Sequence, residues 1–139
     1  MRAEELMIGD WVDFYHPYEP EKKIVTRHRV TEIFECGLVG ICNHLNPVHA
    51  DHIEPVKITP EILEKNGFEM VSDKNKVPIY RIKWPINRDY YFSVWTGLDG
   101  YWNPVGFGVT IGGVQGDVDY VHQLQHALKL CRINKEIEL

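Results

Sequence analysis

The sequence predicts a strand-rich α+β protein, in which a small antiparallel barrel precedes an antiparallel sheet packed against a C-terminal helix. Residues 6–57 hold short apolar and β-branched runs separated by turn residues, a pattern typical of small barrels. Residues 68–111 hold further alternating, aromatic-rich runs that favour strands. Residues 117–131 instead carry apolar side chains at helical spacing.

Length and composition predict a folded protein with a core of its own. The chain has 139 residues, of which 44% are hydrophobic and 12% aromatic, enough for one ordinary domain or two very small ones. The net charge of -5 disfavours nucleic-acid partners, because neutralising phosphates requires clustered Lys and Arg.

The cysteine count and the N-terminal residues predict a cytoplasmic protein. Cys36, Cys42 and Cys131 are an odd number and too few for a disulfide scaffold, so a reducing compartment is the simplest setting. Glu4 and Glu5 stand where a signal peptide would need an apolar run. No segment approaches the roughly 18 apolar residues of a membrane span, so no membrane partner is expected.

The first half predicts an SH3-like β-barrel over residues 1–57. Gly9 and Asp10 form a turn pair before the first strand. The predicted strands cover 11–15, 24–34 (one long or two short), 38–42 and 48–56. The segments 8–12 and 30–33 resemble small SH3-like barrels, in which a glycine-aspartate turn opens the first strand. That resemblance implies a shape and no activity.

Residues 58–67 predict a short linking helix between the two halves. Thr59 fits the N-cap and Pro60 the first helical position. Glu61 suits the positive end of the helix dipole. Asn66 and Gly67 are typical of a left-handed stop.

The second half, residues 68–139, predicts an antiparallel sheet with a C-terminal helix over about 117–131. The predicted strands cover 68–71, 78–84, 88–96 and 105–111. Asp117 is the expected N-cap of the helix. The helix has an apolar stripe, made of Val118, Val121, Leu124, Leu128 and Cys131, that must be buried.

The linking-helix segment, the last helix and the final residues resemble a family of short uncharacterised bacterial proteins. The resemblance is carried by residues 53–68, with the segment TPEILEKNGF, by the helix YVHQLQHAL at 120–128, and by 133–139. Such proteins occur in gut-anaerobe genomes, and some are associated with phage or mobile elements. Membership implies a cytoplasmic protein without assigned catalytic residues.

His122 and His126 are the weak candidates for a metal site. Their spacing of four places two imidazoles on one helix face, as in zinc peptidases. Those enzymes carry a glutamate after the first histidine as general base, and here Gln123 occupies that position. The preferred interpretation is a pair of ordinary histidines on a polar flank of the helix, and no metal or cofactor is assigned.

Two further groups of residues do not match the sequence patterns of known metal or phosphate sites. A set of Cys and His side chains in the first half lacks paired Cys-x-x-Cys spacing, which favours a buried cysteine or two and exposed loop histidines; it comprises Cys36, Cys42, His44, His49 and His52. The glycines before the last helix fail both phosphate-loop patterns, since Ile111 and Val114 stand where a glycine and a lysine are required. Cys131 lies on the apolar stripe, which favours an inert thiol.

Aromatic side chains with interleaved cations are the tentative binding residues. Most of the aromatic series is assigned to packing, and the best binding candidates are Trp95, Tyr101, Trp102, Arg81 and Arg88. The leading hypothesis is a non-enzymatic binding or accessory module for a protein partner. The alternatives are a metal-binding protein or metal-dependent hydrolase centred on His122 and His126, and a single-stranded nucleic-acid binder.

Overall fold

The chain folds into two compact units, Met1–Val56 and Lys57–Leu139. The computed structural model describes residues 1–17, 25–72, 74, 76–85, 90–98, 104–111 and 114–139. Each unit contains one five-stranded antiparallel sheet, and the second also contains the C-terminal helix. The predicted strand-rich α+β class is therefore confirmed.

The first unit holds five strands and two 3-10 helices. The strands are β1 (Trp11–Tyr15), β2 (Val25–Ile33), β3 (Leu38–Ile41), β4 (Val48–His49) and β5 (Ile53–Pro55). The 3-10 helices are Ala3–Glu5 and Ala50–His52. The single strand predicted over 48–56 is wrong, because the second 3-10 helix divides it. His49 caps that helix by accepting a hydrogen bond from the Asp51 amide at 3.3 Å.

The first sheet has the order β4-β3-β2-β1-β5. Strand β1 pairs with both β2 and β5, and its alternate residues Val12 and Phe14 are buried, as period-two alternation requires. Strands β4 and β5 are the sheet edges, and the pairings among the described residues leave the sheet open.

The glycine-aspartate turn holds the start of β1. Gly9 has a φ of 94°, a left-handed conformation that favours glycine. Asp10 is fully buried, and its carboxylate accepts a hydrogen bond from the Met7 amide at 2.7 Å. The Gly9 amide donates to the Val30 carbonyl at 2.8 Å, which ties the turn to β2.

The second unit is a five-stranded meander with two helices. Its strands are β6 (Glu69–Ser72), β7 (Pro78–Lys83), β8 (Tyr91–Leu98), β9 (Pro104–Ile111) and β10 (Val114–Asp117). Its helices are α1 (Pro60–Lys65) and α2 (Val121–Leu130). The sheet order is β10-β9-β8-β7-β6, so each strand pairs with its neighbours in the chain.

One face of the second sheet is buried. Along β8, Phe92, Val94 and Thr96 are buried and their neighbours are more exposed. The Phe92 ring meets Phe68 edge to face, with centroids 6.5 Å apart. Buried residues of α2 complete the interior of this unit, namely Val121, Leu124, Ala127 and Leu128.

Helix α1 has the predicted cap, and its far end holds the final segment of the chain. The Thr59 hydroxyl accepts a hydrogen bond from the Ile62 amide at 3.4 Å, and Pro60 begins the helix. The buried Asn66 amide group accepts from the Glu138 amide and donates to the Glu138 carbonyl, both at 2.8 Å. The helix predicted as a link thus belongs to the second unit.

Helix α2 begins later than predicted. Val114–Asp117 is strand β10, paired with β9, and Tyr120 is the N-cap in place of Asp117. Helical spacing carries the apolar stripe back to Val118, but the hydrogen bond from the Val118 amide to the Phe107 carbonyl at 2.8 Å ties that residue to β9. Strand pairing therefore takes precedence over helical periodicity here.

We expect Asn66→Ala to lower the free energy of unfolding by about 1–3 kcal/mol, because it leaves two Glu138 backbone groups without their partner. The matched control is Asn134→Ala, since Asn134 is exposed. Urea unfolding measures both. A loss in Asn66→Ala no greater than in the control would contradict this account of the final segment.

Candidate functional site

The strand register gathers two of the predicted binding residues on the outer face of the second sheet. Ile79 lies opposite Trp95, Arg81 opposite Ser93, and Lys83 opposite Tyr91. Because successive residues point to opposite faces, these side chains lie away from the buried side occupied by Phe92 and Val94. We call Arg81, Tyr91 and Trp95 the outer-face triad.

Trp95 lies flat on the sheet because its neighbours on β9 and β8 are glycines. A Cβ built on Gly108, which is paired with Trp95, would collide with the indole ring. A Cβ on Gly97 would lie 3.5 Å from the same ring. Trp95 is half-buried, so part of its ring is available for contact.

Arg81 connects the aromatic and charged parts of this face. Its guanidinium carbon lies 4.1 Å from the centroid of the Tyr91 ring, a cation-π geometry. Its Nε lies 3.6 Å from a Glu69 carboxylate oxygen on edge strand β6. Tyr91 is 37% exposed, so the outer-face triad combines a half-buried indole, an exposed phenol and a positioned guanidinium.

The other predicted binding residues, Arg88, Tyr101 and Trp102, lie outside the described residues. Among the remaining aromatic side chains, Phe92 is buried, Trp84 is half-buried and Tyr90 is exposed. Burial in the core therefore accounts for only some of these aromatic side chains.

One of the two helix histidines is buried, and the other, His126, is partly exposed. His122 is only 4% exposed, which overturns the prediction of a polar flank for this residue. Its ring stacks on Tyr120 at 6.0 Å and meets His126 edge-on at 5.7 Å. The buried part of α2 is wider than the apolar stripe and includes Gln125 as well.

The Cys and His set of the first unit is only partly brought together. His44, His49 and His52 line one cavity of about 350 Å³ with His16 and Phe14. Cys36 and Cys42 are exposed, so the predicted burial of a cysteine in this set is wrong. His16, which the sequence reasoning missed, follows Phe14 by two residues, and strand alternation could have placed them on one side.

No metal centre is found in the described part of the chain, where no three His, Cys, Asp or Glu side chains are arranged to hold an ion. His44 Nδ1 instead lies 2.7 Å from the Asn46 carbonyl, and His49 Nδ1 lies 3.1 Å from an Asp51 oxygen. Cys131 is buried, which raises the pKa of its thiol.

Two of the glycines before α2, Gly106 and Gly108, serve close packing. Gly106 leaves room for the Asp119 carboxylate, which a Cβ at that position would strike. Gly108 makes room for Trp95, while a Cβ on Gly116 would meet no atom within 4 Å. Gly112 and Gly113 lie outside the described residues.

A cavity of about 430 Å³ in the second unit was missed by sequence reasoning. Its polar lining includes Lys57, Tyr80 and Asp119, and Phe107 is among its apolar walls. These residues come from separate elements, and only the pairing of β7, β8 and β9 and the Lys57–Tyr120 bridge bring them together. The one local signal was Gly106 in a strand interior, where glycine often marks close approach of another group.

Comparison of the chain with protein-family models, with curated proteins and with solved structures finds no significant match to any of them. Among the described residues, no helix combines the length and apolar character needed to cross a membrane.

We expect Gly108→Ala to displace the Trp95 ring from the sheet, because the added methyl group would occupy its place. Fluorine NMR of 5-fluorotryptophan-labelled protein measures this, since the chain has four tryptophans and Trp95→Phe identifies the signal. The matched control, Gly116→Ala, adds a methyl group to open space. An unmoved Trp95 signal in Gly108→Ala would show that the ring does not lie over this glycine.

Proposed function

We propose that the protein is a non-enzymatic binding module that holds a protein partner on the outer face of its second sheet. The outer-face triad is the observation that carries this proposal. Trp, Tyr and Arg are the residue types most enriched at the centres of protein interfaces. Here one of each lies on adjacent strands β7 and β8, on the face that the unit does not use for its core.

The triad is held in place before any partner arrives. Gly108 allows Trp95 to lie against the sheet, and Tyr91 supports the Arg81 guanidinium at 4.1 Å. Side chains that are already ordered lose less conformational entropy on binding. Such preordering is expected of side chains that bind a partner, and it is not required of side chains that only face solvent.

Charge favours a protein partner over a nucleic acid. Glu69 is within 3.6 Å of Arg81, so the cation nearest the rings is already neutralised in part. A single-stranded nucleic-acid site instead combines stacking rings with a continuous positive groove, and the net charge of -5 opposes one.

The first unit is proposed to be an SH3-like barrel. Its support is the strand order β4-β3-β2-β1-β5 together with the 3-10 helix between β4 and β5. Membership of the resembled family of short bacterial proteins, with a cytoplasmic location and a phage or mobile-element association, remains part of the same proposal. Its support is the sequence resemblance alone.

We expect the photo-crosslinker p-benzoylphenylalanine at position 91 to join the protein to a partner in the cells that produce it. Tyr91 is exposed and lies beside Arg81, so a bound protein would contact the added group. Adding Trp95→Ala should reduce the adduct at least about tenfold, as loss of a central interface residue does. Gel shift and mass spectrometry measure the adduct.

Two controls decide the result. The crosslinker at Leu45, a fully exposed position of the first unit, should not give the same adduct. Met70→Ala, an exposed side chain of β6 whose register partner is the buried Tyr80, should leave the yield unchanged. An adduct that nuclease removes and protease spares, or one indifferent to Trp95→Ala, would contradict the proposal.

A further inference from the structure

The 430 Å³ cavity of the second unit is lined by a phenol that can donate a hydrogen bond. Tyr80 lines it and is 5% exposed as a whole residue. Thr96 lines it as well, and its hydroxyl donates to the Pro78 carbonyl at 3.1 Å. Burial, and after it the negative charges of Glu64 and Glu61, raise the pKa of Tyr80, so this phenol stays protonated and can donate to a ligand.

The Asp119 carboxylate is fixed at the edge of this cavity. One of its oxygens accepts a hydrogen bond from the Phe107 amide at 3.1 Å. Gly106 provides the space for it, since a Cβ there would strike that oxygen. The second oxygen makes no hydrogen bond or ion pair with any described residue, so it can accept one from a ligand.

Lys57 supplies the opposite charge. Its backbone pairs with Tyr120 in an antiparallel bridge, which places it on the same cavity as Asp119. Lys57 and Asp119 are both exposed. Opposite charges that line one cavity are suited to a ligand that carries both signs.

The remaining walls are apolar and aromatic. Phe107 meets Tyr80 edge to face with centroids 6.5 Å apart, and Ile58 contributes an aliphatic surface. Cavities of roughly 300–1,000 Å³ with apolar walls and a few convergent polar groups are typical small-molecule sites.

We propose that this cavity binds a free α-amino acid with an aromatic side chain. The ligand carboxylate pairs with Lys57, its ammonium group donates to the second oxygen of Asp119, and its ring packs on Phe107. The Tyr80 hydroxyl donates to the ligand carboxylate. This site is distinct from the outer-face triad and does not depend on the protein partner.

The test is titration of the ¹⁵N-labelled full chain with L-phenylalanine and L-tryptophan, followed by amide NMR. We expect saturable shifts at Phe107 and Tyr120 within about 10 mM ligand. Asp119→Asn keeps an oxygen for the Phe107 amide but removes the charge, and Lys57→Met removes the charge but keeps most of the side-chain length. Each should weaken binding at least about tenfold, as expected when a charged partner is lost.

The controls and probes separate the possible outcomes. Asp117→Asn and Lys65→Met change exposed residues that do not line the cavity, and both should leave the affinity unchanged. L-phenylalaninamide lacks the carboxylate and 3-phenylpropanoate lacks the amine, so both should bind at least about tenfold more weakly. The absence of saturable shifts, equal binding of either analogue, or unaltered affinity in both charge variants would overturn the proposal.

Discussion

The register between β7 and β8 is the constraint on which the second unit depends. Tyr80 lies opposite Val94 and Arg81 opposite Ser93. A slip of one residue in either strand would exchange its two faces, sending Arg81 inward or Phe92 outward. Exposing Phe92 or Val94 would cost about 1.5–3 kcal/mol each, so the apolar interior selects the observed register. The triad then lies on the face opposite Tyr80 and Thr96, two of the residues that line the cavity.

Glycines in β9 allow both sites to form. Glycine within a strand costs about 0.5–1 kcal/mol relative to alanine, and β9 carries two, Gly106 and Gly108. Each admits one specific group, the Asp119 carboxylate in one case and the Trp95 ring in the other. The two glycines that destabilise β9 thus each position one side chain, and each of these side chains belongs to one of the proposed binding sites.

Local signals in the sequence predicted much of the fold. Alternation located β7 and β8, and the Thr59-Pro60 pair located α1. The start of α2 was wrong because Val118 fits helical spacing but is tied by its amide to Phe107. Strand β10 was missed because Gly116 weakens its pattern. Both errors have the same cause. Pairing with β9, a strand outside the helix pattern, decides the structure of these residues, and the periodicity of a short stretch of sequence carries no information about such pairing.

The candidate sites were predictable to different degrees. Arg81 and Trp95 were named from a dense series of aromatic residues with interleaved cations, and alternation places them on one face. The cavity was missed because Lys57, Tyr80 and Asp119 are distant in sequence and individually unremarkable. The burial of His122 was missed because a helical wheel ranks side chains by polarity, whereas here the ring stacks on Tyr120.

Cross-strand nuclear Overhauser effects between β7 and β8 test the central claim most directly. The account predicts backbone contacts that pair Tyr80 with Val94 and Ile82 with Phe92. These contacts should persist in the Trp95→Ala variant, because the buried face sets the register. Contacts that instead pair Tyr80 with Ser93 or with Trp95 would contradict the account, since the two faces of one strand would then be exchanged.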